Sequence, residues 1–409
     1  MNFISLPKSS RKILFVAIPL LASLQLTLAS EADQQKLVAA NNAFTFDLTA
    51  QIAKGQPDAN VFISPFSVSS ALQMVANGAA GQTKAEMQQV LHTADLTSTI
   101  ANPAFKDLNQ QLASRKDVTL NLANGIWFKQ GFHLKPVFVA DNKNFFKAEM
   151  AAVDFGSPNS AQTINKWADK QTQGKIKDVV QYPFDPMTQV ILANAIYFKG
   201  KWVKPFDGHM TQPRNFYLSD GEQKNAPMML QQGDFKYQET PDFQAVQLPY
   251  EGGLQMQVFL PTKNSSPQKL IESFRASGNW QTNIQSGFNL RKGTLLLPKF
   301  KMAYDVKLNY PLEVLGMKSA FIYGKADFSA MAEEALFIGL VEQKSYVDVD
   351  EKGTEAAAVT TVTMMKSAMP RQDFRMIVDR PFLFVISDDA TDSILFIGIV
   401  NDPTATGAN

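Results

Sequence analysis

The chain has 409 residues, of which 45% are hydrophobic and 19% charged, and its formal net charge is +1. This composition is typical of a folded protein with a large core, and the near-neutral charge argues against nucleic acid or an anionic membrane as a partner. The absence of cysteine excludes disulfides, thiolate nucleophiles and cysteine-ligated metals.

The first 29 residues are arranged like a secretory signal peptide. They contain three basic residues, Lys8, Arg11 and Lys12. An almost wholly apolar stretch follows at 13–28, and residues 27–29 offer a small-residue cleavage site. The stretch is shorter than the roughly 20 residues of a membrane-spanning helix. We expect residues 1–29 to be removed and 30–409 to form a single domain outside the cytoplasm, extracellular or periplasmic. An uncleaved N-terminal anchor is the alternative.

Two helices are predicted early in the body of the chain. Ser64 followed by Pro65 is typical of an N-cap and a first helical turn, and apolar residues then recur at helical spacing over 68–75. Gly78 is expected to end this helix. The sequence 83–86 fits a capping box and predicts the start of a second helix.

A third helix and several buried strands follow. Apolar residues over 164–168 indicate a helix, with Gly174 as its C-terminal stop. Three nearly continuous apolar runs, 190–198, 382–386 and 394–400, suit central strands that are covered on both faces. Helices together with several buried strands indicate a mixed α/β fold with at least one large sheet.

The sequence contains no recognisable catalytic motif. Its three histidines, His92, His133 and His209, lie far apart, and the motifs of nucleophile elbows, zinc proteases and phosphate-binding loops are absent. A Ser-His-Asp triad is defined by geometry, so the sequence alone does not exclude a hydrolase. We expect a protein that is not an enzyme and that needs neither a metal ion nor a small-molecule cofactor.

Strings of residues along nearly the whole body resemble the serpin family of serine protease inhibitors. They are NVFISPFS at 60–67, GAAGQT at 78–83 with Glu86, LANAIYFKGKWVKPF at 192–206, LPKFK at 297–301, LGM at 315–317, AF at 320–321, ADFSAM at 326–331, EKGTEAAA at 351–358 and DRPFLF at 379–384. Their order and spacing make the resemblance specific, and the chain is identified as a secreted, prokaryotic-type member.

The resemblance implies the serpin fold, a mixed α/β fold (multi-domain α and β class) with three β-sheets, eight or nine helices and an exposed reactive-centre loop at about 351–378. In this family a protease cleaves the loop and forms an acyl-enzyme. The cleaved loop then inserts into the central sheet and carries the protease to the opposite pole. The resemblance therefore implies a suicide inhibitor of serine endopeptidases that works by conformational change. A non-inhibitory serpin acting as a carrier or binding protein is the alternative.

The loop sequence has the properties of a strand that can insert. No proline occurs from Gly353 to Met369, and residues 359–363 are all β-branched. If Thr354 faces the core, strand alternation turns only small, apolar or hydroxylated side chains inward and turns Glu355 toward solvent. The inward side chains would be those of Thr354, Ala356, Ala358, Thr360, Val362 and Met364. This pattern favours an inhibitory loop.

The position of the reactive bond follows by resemblance from its distance to Glu351. This places the bond at Ser367-Ala368, which suits the shallow pockets of elastase-like or subtilisin-like proteases. Cleavage at Lys366-Ser367 would suit a trypsin-like protease, and cleavage at Met365-Lys366 a chymotrypsin-like one. The expected partner is therefore a serine protease. We expect the protein to be a monomer that binds no nucleic acid and, in its mature form, no membrane.

Two further groups of residues take their roles from the resemblance. The hinge comprises Glu351, Gly353, Thr354, Ala356, Ala357 and Ala358. The polar cluster under the central sheet and the top of that sheet, called the shutter and the breach, comprise Ser64, Ser67, Asn194, Trp202 and Gln343. The family commonly has a histidine at position 343, so the pH response of this chain should differ. Core packing for Trp202 and simple surface exposure for Glu351 are the alternatives.

Overall fold

The computed structural model describes residues 29–278, 280–354 and 373–405. Eight helices of seven or more residues and one four-residue helix, α8, occur in this part of the chain. They are α1 (Glu31–Gly55), α2 (Pro65–Ala76), α3 (Gly81–Val90), α4 (Ser98–Ala113), α5 (Pro136–Phe146), α6 (Pro158–Gln171), α7 (Pro267–Ser277), α8 (Trp280–Asn283) and α9 (Asn309–Leu315). None of these described helices combines the length and the apolar character needed to cross a membrane.

Fifteen strands accompany these helices within the same residues. They are β1 (Val61–Ile63), β2 (Val118–Lys129), β3 (Glu149–Val153), β4 (Val190–Lys201), β5 (Gln212–Tyr217), β6 (Gln223–Glu239), β7 (Phe243–Pro249), β8 (Leu254–Pro261), β9 (Asn289–Pro298), β10 (Phe300–Lys307), β11 (Ile338–Asp350), β12 (Gly353–Thr354), β13 (Phe374–Ile377), β14 (Phe382–Asp388) and β15 (Ile394–Val400).

The strands form two hydrogen-bonded sheets. A six-stranded sheet, which we call the central sheet, has the order β10-β11-β12-β4-β2-β3. A nine-stranded sheet has the order β1-β15-β14-β8-β7-β6-β9-β13, with β5 paired to β6. The resemblance implied three sheets. Two of these three are joined here into the single nine-stranded sheet. The cause is the 17-residue strand β6, which pairs with β7 near its end and with β5 and β9 before it.

The elements with the strongest local patterns are confirmed. Helix α2 starts at Pro65, and the Ser64 hydroxyl caps it by accepting a hydrogen bond from the backbone N–H of Ser67. Helix α6 and the buried strands β4, β14 and β15 also lie where their apolar patterns predicted them. Strand β4 lies inside the central sheet, and its first nine residues, 190–198, are all buried, while the tenth, Lys199, is half-buried.

The predicted capping box at 83–86 is wrong. Helix α3 begins two residues earlier, at Gly81, and no side chain caps it. Thr83 instead accepts a hydrogen bond from the backbone N–H of Asp327, and the Glu86 carboxylate accepts bonds from Ser319. These side chains join α3 to a distant part of the chain, because tertiary partners compete with local capping for the same oxygen atoms.

Both faces of the central sheet are covered. Helix α2 contacts β2 and β4 on one face, toward the main core. Helix α6 lies on the other face, where Trp167 packs edge-on against Trp127 of β2 with 5.8 Å between ring centroids. Side chains that alternate along β4 therefore enter two different apolar clusters, which fixes the register of the strand.

Candidate functional site

Gly353 and Thr354, two of the predicted hinge residues, form a strand, β12, inside the central sheet. Thr354 pairs with Val349 of β11 on one side and with Gly200 of β4 on the other. Gly353 has φ +150°, and a Cβ atom built on it would lie 2.1 Å from the carbonyl oxygen of Gly200. Only glycine fits this approach of two backbones. The slot between β4 and β11 is therefore already open at the end where the chain enters it.

The side chain of Thr354 faces the core and is fully buried. Its hydroxyl lies 2.7 Å from the phenol oxygen of Tyr250. The Tyr250 ring stacks on Trp202 with 4.2 Å between centroids, and the Trp202 indole N–H donates to the carbonyl oxygen of Asp350 at 2.9 Å. Burial raises the pKa of Tyr250 above the physiological range, so the phenol stays neutral and available for this hydrogen bond.

The turn before the hinge is fixed by two carboxylates. Asp350 accepts hydrogen bonds from the backbone N–H groups of Lys352, at 2.8 Å, and Gly353, at 3.2 Å. Glu351 accepts from the Lys299 ammonium and from the Thr211 hydroxyl, both at 2.8 Å. Partial burial of Glu351 opposes its ionisation, but the bonds from Lys299 and Thr211 outweigh this effect and lower its pKa. Glu351 thus stays charged and holds the turn that precedes β12.

A polar cluster lies deeper between the same two strands. The amide of Gln343, on β11, accepts from the backbone N–H of Ser64 at 2.9 Å and donates to the side-chain oxygen of Asn194, on β4, at 2.7 Å. Asn194 in turn donates to the Ser67 hydroxyl and to the side-chain oxygen of Asn124. The structure thus brings together four predicted residues, and each buried amide has partners, as a low-dielectric site requires.

Glu342, beside Gln343, points to the opposite face of the central sheet. It is 5% exposed. Burial, together with the nearby negative charge of Asp305, raises the pKa of Glu342 to about 7. Lys307 and Lys344 lie close enough to lower it in part. A buried carboxyl therefore changes its charge near neutral pH on one wall of the slot, which the sequence did not suggest.

The proposed cleavage region lies outside the described residues. This applies to Ala356, Ala357 and Ala358 of the hinge and to Lys366, Ser367 and Ala368 around the reactive bond. The three histidines occupy separate places on the described surface. His92 lies 2.7 Å from the carboxylate of Asp47, and His133 lies 2.8 Å from that of Glu334. These are pairings of surface side chains that are 40% and 85% exposed.

Besides Asp350 and Glu342, sequence reasoning missed four more residues of this site. Lys299 lies inside a string that carried the resemblance, but the string alone does not reveal its partner Glu351. Asn124 carried a usable signal, since a polar amide within an apolar strand needs a buried partner. Thr211 and Tyr250 carried no such signal in the sequence, because their partners, Glu351 and Thr354, lie 140 and 104 residues away.

The comparisons with known proteins agree with this geometry. The serpin (serine protease inhibitor) family profile matches residues 39–403. A leukocyte elastase inhibitor of Bos taurus is 36% identical over 387 residues, covering 90% of this chain and all of that protein. An uncharacterized serpin-like protein of Thermococcus kodakarensis is 37% identical, covering 91% of this chain and 87% of that protein.

Solved structures resemble the chain over the same length. The native state of tengpin, a thermophilic serpin, superposes with a TM-score of 0.84 at 29% identity and covers 90% of this chain and 94% of its own. Thyroxine-binding globulin in complex with thyroxine superposes with a TM-score of 0.79 at 27% identity, covering 90% of this chain and all of its own. The chain therefore belongs to the serpin family, whose members are mostly protease inhibitors rather than catalysts.

Proposed function

We propose that this serpin is a suicide inhibitor of serine endopeptidases. The observation that carries the proposal is the pairing of Gly353 and Thr354 with β4 and β11 at once. A strand that has begun to enter a sheet between two parallel neighbours offers a path for the chain that follows it. Insertion of a segment into a sheet satisfies its backbone hydrogen bonds on both edges, which provides a driving force.

The register of β12 predicts which loop residue would reach the polar cluster. Each further residue of an inserted strand would move one residue back along both β11 and β4. Ala356 and Ala358 would face the core on the same side as Thr354. Thr360 would then stand between Gln343 and Asn194, which are hydrogen-bonded to each other in this structure. The hydroxyl of Thr360 would offer these two amides a new hydrogen-bond partner in place of the bond they lose.

The chemistry of trapping uses the protease's own first step. The serine Oγ of the protease attacks the carbonyl carbon of Ser367, and the peptide bond to Ala368 breaks. The leaving amine of Ala368 takes a proton from the protease histidine, and Ser367 remains as an ester on the protease. Water would normally hydrolyse this ester. Insertion competes with that hydrolysis, because it moves the acylated end away from the place where the protease first bound.

The target we favour is an elastase-like or subtilisin-like protease. The small residue Ser367 before the reactive bond fits a shallow pocket. The similarity to relatives named leukocyte elastase inhibitors supports the same choice. Lys366, one residue earlier, makes a trypsin-like protease the second choice.

We also propose that the mature protein is secreted and acts as a monomer. The basis is the signal-peptide arrangement of residues 1–29, with its basic start, apolar stretch and small residues at the end. N-terminal sequencing of the protein recovered from the culture medium or periplasm tests this, with Ser30 as the expected first residue. An intact Met1 on recovered material would contradict it.

Incubation of the protein with elastase, subtilisin and trypsin, read on a denaturing gel, tests the inhibitor function. We expect a band that contains both proteins, because the ester survives denaturation. Mass spectrometry of the released C-terminal peptide would identify the bond. Cleavage without a joined band for all three proteases would contradict the inhibitor function.

A cavity supports a carrier as the second candidate. It has a volume of about 620 Å³ between α1 and α7, with Phe46, Phe274 and Trp280 among its lining residues and Arg275 beside them. Its size and its mixture of aromatic and charged walls fit a small aromatic ligand. Thyroxine-binding globulin, a structural relative, was solved with thyroxine bound. A carrier predicts clean loop cleavage and a saturable rise of the melting temperature when thyroxine is titrated.

A further inference from the structure

The start of helix α1 lies against a buried carboxylate of helix α4. The backbone N–H of Ala29 donates to Asp107 Oδ2 at 2.9 Å, although the two residues are 78 positions apart. Asp107 is only 7% exposed. Within the described part of the chain, Ala29 supplies the only hydrogen bond to this carboxylate. Buried carboxylates are normally matched by a cation or by several donors, so a single neutral donor leaves Asp107 poorly compensated.

Cleavage before Ser30 would remove this donor and leave a cation beside the carboxylate. A signal peptidase would use water to hydrolyse the peptide bond between Ala29 and Ser30. The water supplies the hydroxyl group of the new Ala29 carboxyl and one hydrogen of the new amine. At neutral pH the carboxyl then releases a proton and the amine takes one up. Successive backbone nitrogens lie at most roughly 3.6 Å apart, so the Ser30 ammonium would start within about 6.5 Å of Asp107 Oδ2.

Ser30 is held in place by contacts that do not involve the residues before it. Its hydroxyl accepts from the backbone N–H of Asp33 at 3.1 Å and donates to the Asp33 carboxylate at 2.7 Å. Its carbonyl oxygen accepts from the backbone N–H groups of Asp33 and Gln34, both at 3.0 Å. Gln34 in turn accepts from the side chain of Gln111 on α4 at 3.2 Å. Removal of residues 1–29 therefore leaves the new amine beside α4.

The charged groups that accompany this end of α1 favour a cation. Glu31 and Asp33 lie in the first turn of the helix. Asp392 lines the same cavity as Glu31. An ammonium at the start of a helix is repelled by the positive end of the helix dipole, and acidic side chains offset this repulsion.

The cations of the neighbouring segment have partners of their own. The Lys106 ammonium, next to Asp107 in sequence, lies over the ring of Phe145, 5.8 Å from its centroid. Arg115, which follows α4, pairs with the carboxylate of Asp388. Neither contact uses the Asp107 carboxylate, which therefore remains available to an ammonium on α1.

We propose that Asp107 is the receptor for the amino terminus that cleavage before Ser30 creates, so that the mature protein carries a buried ion pair between α1 and α4. This rests on the proposed secretion of the protein and not on its inhibitor function. The pair exists only after residues 1–29 have been removed. It therefore strengthens the packing of α1 against α4 in the mature protein, whereas the precursor has an uncharged amide in the same place.

The test measures the pKa of the Ser30 amine in the mature protein. Acylation of the amine by an anhydride is followed between about pH 6 and about pH 11, by mass spectrometry of the N-terminal peptide. A facing carboxylate stabilises the ammonium, so we expect a pKa at least about one unit above the ordinary value of about 7.7–8.0. Asp107→Asn should return the pKa toward the ordinary value, because the amide keeps the shape of the carboxyl but not its charge.

Thermal melting gives an independent readout. An amine whose pKa is raised in the folded state stabilises the fold fully below its unfolded pKa of about 8, and this contribution is lost as the pH rises through the folded pKa. Mature wild type should therefore melt above mature Asp107→Asn at pH 7, and the gap should close by about pH 11. In chains that keep Ala29 behind a soluble tag, the gap should not change with pH, because no amine is present at Ser30.

Glu31→Gln is the matched control. It removes one negative charge from the same turn at an exposed position, where solvent screens the interaction, so it should lower the pKa of the amine by less than half as much as Asp107→Asn. An equal or larger effect of Glu31→Gln would overturn the assignment of the receptor to Asp107.

Two further results would overturn the receptor. Equal amine pKa values in wild type and Asp107→Asn would do so while leaving secretion and inhibition intact. A mature protein that starts at a residue other than Ser30 would overturn the cleavage position and the receptor together, and the gel assay with proteases would still test the inhibitor separately. If Asp107→Asn does not fold, the amine pKa of wild type in its folded form and in urea decides the matter, and equal values would overturn the receptor.

Discussion

The side-chain amides of Gln343 and Asn194 join the two strands between which the loop would insert. Their 2.7 Å hydrogen bond lies on the inward face of the sheet, where both residues are at most 3% exposed. An inserted strand would separate the two amides, break their hydrogen bond and leave two buried polar groups in need of new partners. A buried amide that loses its partner costs about 1–3 kcal/mol, so the inserted residue at this level has to be polar.

Thr360→Val tests this replacement. The valine has nearly the volume of threonine but no hydroxyl, so the intact protein should melt at the wild-type temperature. The cleaved protein should be destabilised by about 1–3 kcal/mol, because Gln343 and Asn194 stay unpaired in it. Differential scanning calorimetry of both forms measures the difference. Thr361→Val, on the opposite face of the inserted strand, is the matched control and should affect neither form by as much.

Glu342 gives the intact protein a predictable pH dependence. Its pKa is about 7 in the folded state against 4.5 as the ordinary value, so the native state holds the proton more tightly than the unfolded chain. Stability contributed by this group is therefore complete below about pH 4.5 and decreases as the pH rises through 7.

Glu342→Gln should remove this dependence. The advantage of the variant over wild type in free energy of unfolding should grow by about 2–3 kcal/mol from pH 5 to pH 8. Thermal melting of both proteins from pH 5 to pH 8.5 measures the difference. A constant offset across that range would show that ionisation of Glu342 is not responsible. Glu272→Gln, at a largely exposed site on α7, is the control and should show no such trend.

At the scale of elements, β12 would determine how the loop starts to insert. Its two residues are held by backbone pairs to both neighbours and by the bond between Thr354 and Tyr250. A charged side chain at position 354 would have to be buried without a partner, which costs several kcal/mol. The strand would then leave the slot, and insertion would lack its first pair.

Thr354→Arg should therefore convert the inhibitor into a substrate. We expect protease to cleave the loop and depart, so that the gel shows the cleaved chain and almost no joined band. Glu355→Arg is the matched control, because alternation would turn residue 355 toward solvent in an inserted strand. Normal trapping by Thr354→Arg would refute entry of the loop at β12.

Elements that depend on local pattern could be predicted from the sequence, and elements that depend on distant partners could not. The Ser64 cap and the apolar run of β4 are local, and both are confirmed. Thr83 and Glu86 gave an equally good local signal for a capping box. Their side-chain oxygen atoms instead accept hydrogen bonds from residues more than 230 positions away. The position of β12 between β4 and β11 is also a long-range property, which no spacing along the chain expresses.

For the whole molecule, the resemblance predicted the fold class and the membership of the polar cluster, while the structure added the contacts that hold it in place. Ser64, Asn194 and Gln343 come together although Gln343 and Ser64 are 279 residues apart. Tyr250 and Asn124 complete the site without having belonged to any quoted string. The apolar strand around Asn124 indicated that its amide needs a buried partner, but neither that partner nor the role of Tyr250 could be read from the sequence, because they depend on contacts in space.

The proposed mechanism requires that the intact molecule has not reached its most stable arrangement. Strands β4 and β11 pair with each other along most of their length, while at one end β12 has already separated them. If the slot fills completely, the central sheet gains a strand with two new ladders of hydrogen bonds. Serpins of this design are kinetically trapped when intact, and cleavage of the loop releases them.

Thermal melting of the intact and the loop-cleaved protein tests whether the intact fold is kinetically trapped. Limited proteolysis that cuts only the reactive loop, checked by mass spectrometry, yields the cleaved form. We expect the cleaved protein to melt tens of degrees above the intact one, since about ten newly inserted residues would gain ladder bonds and burial. Equal melting temperatures for the two forms would contradict it.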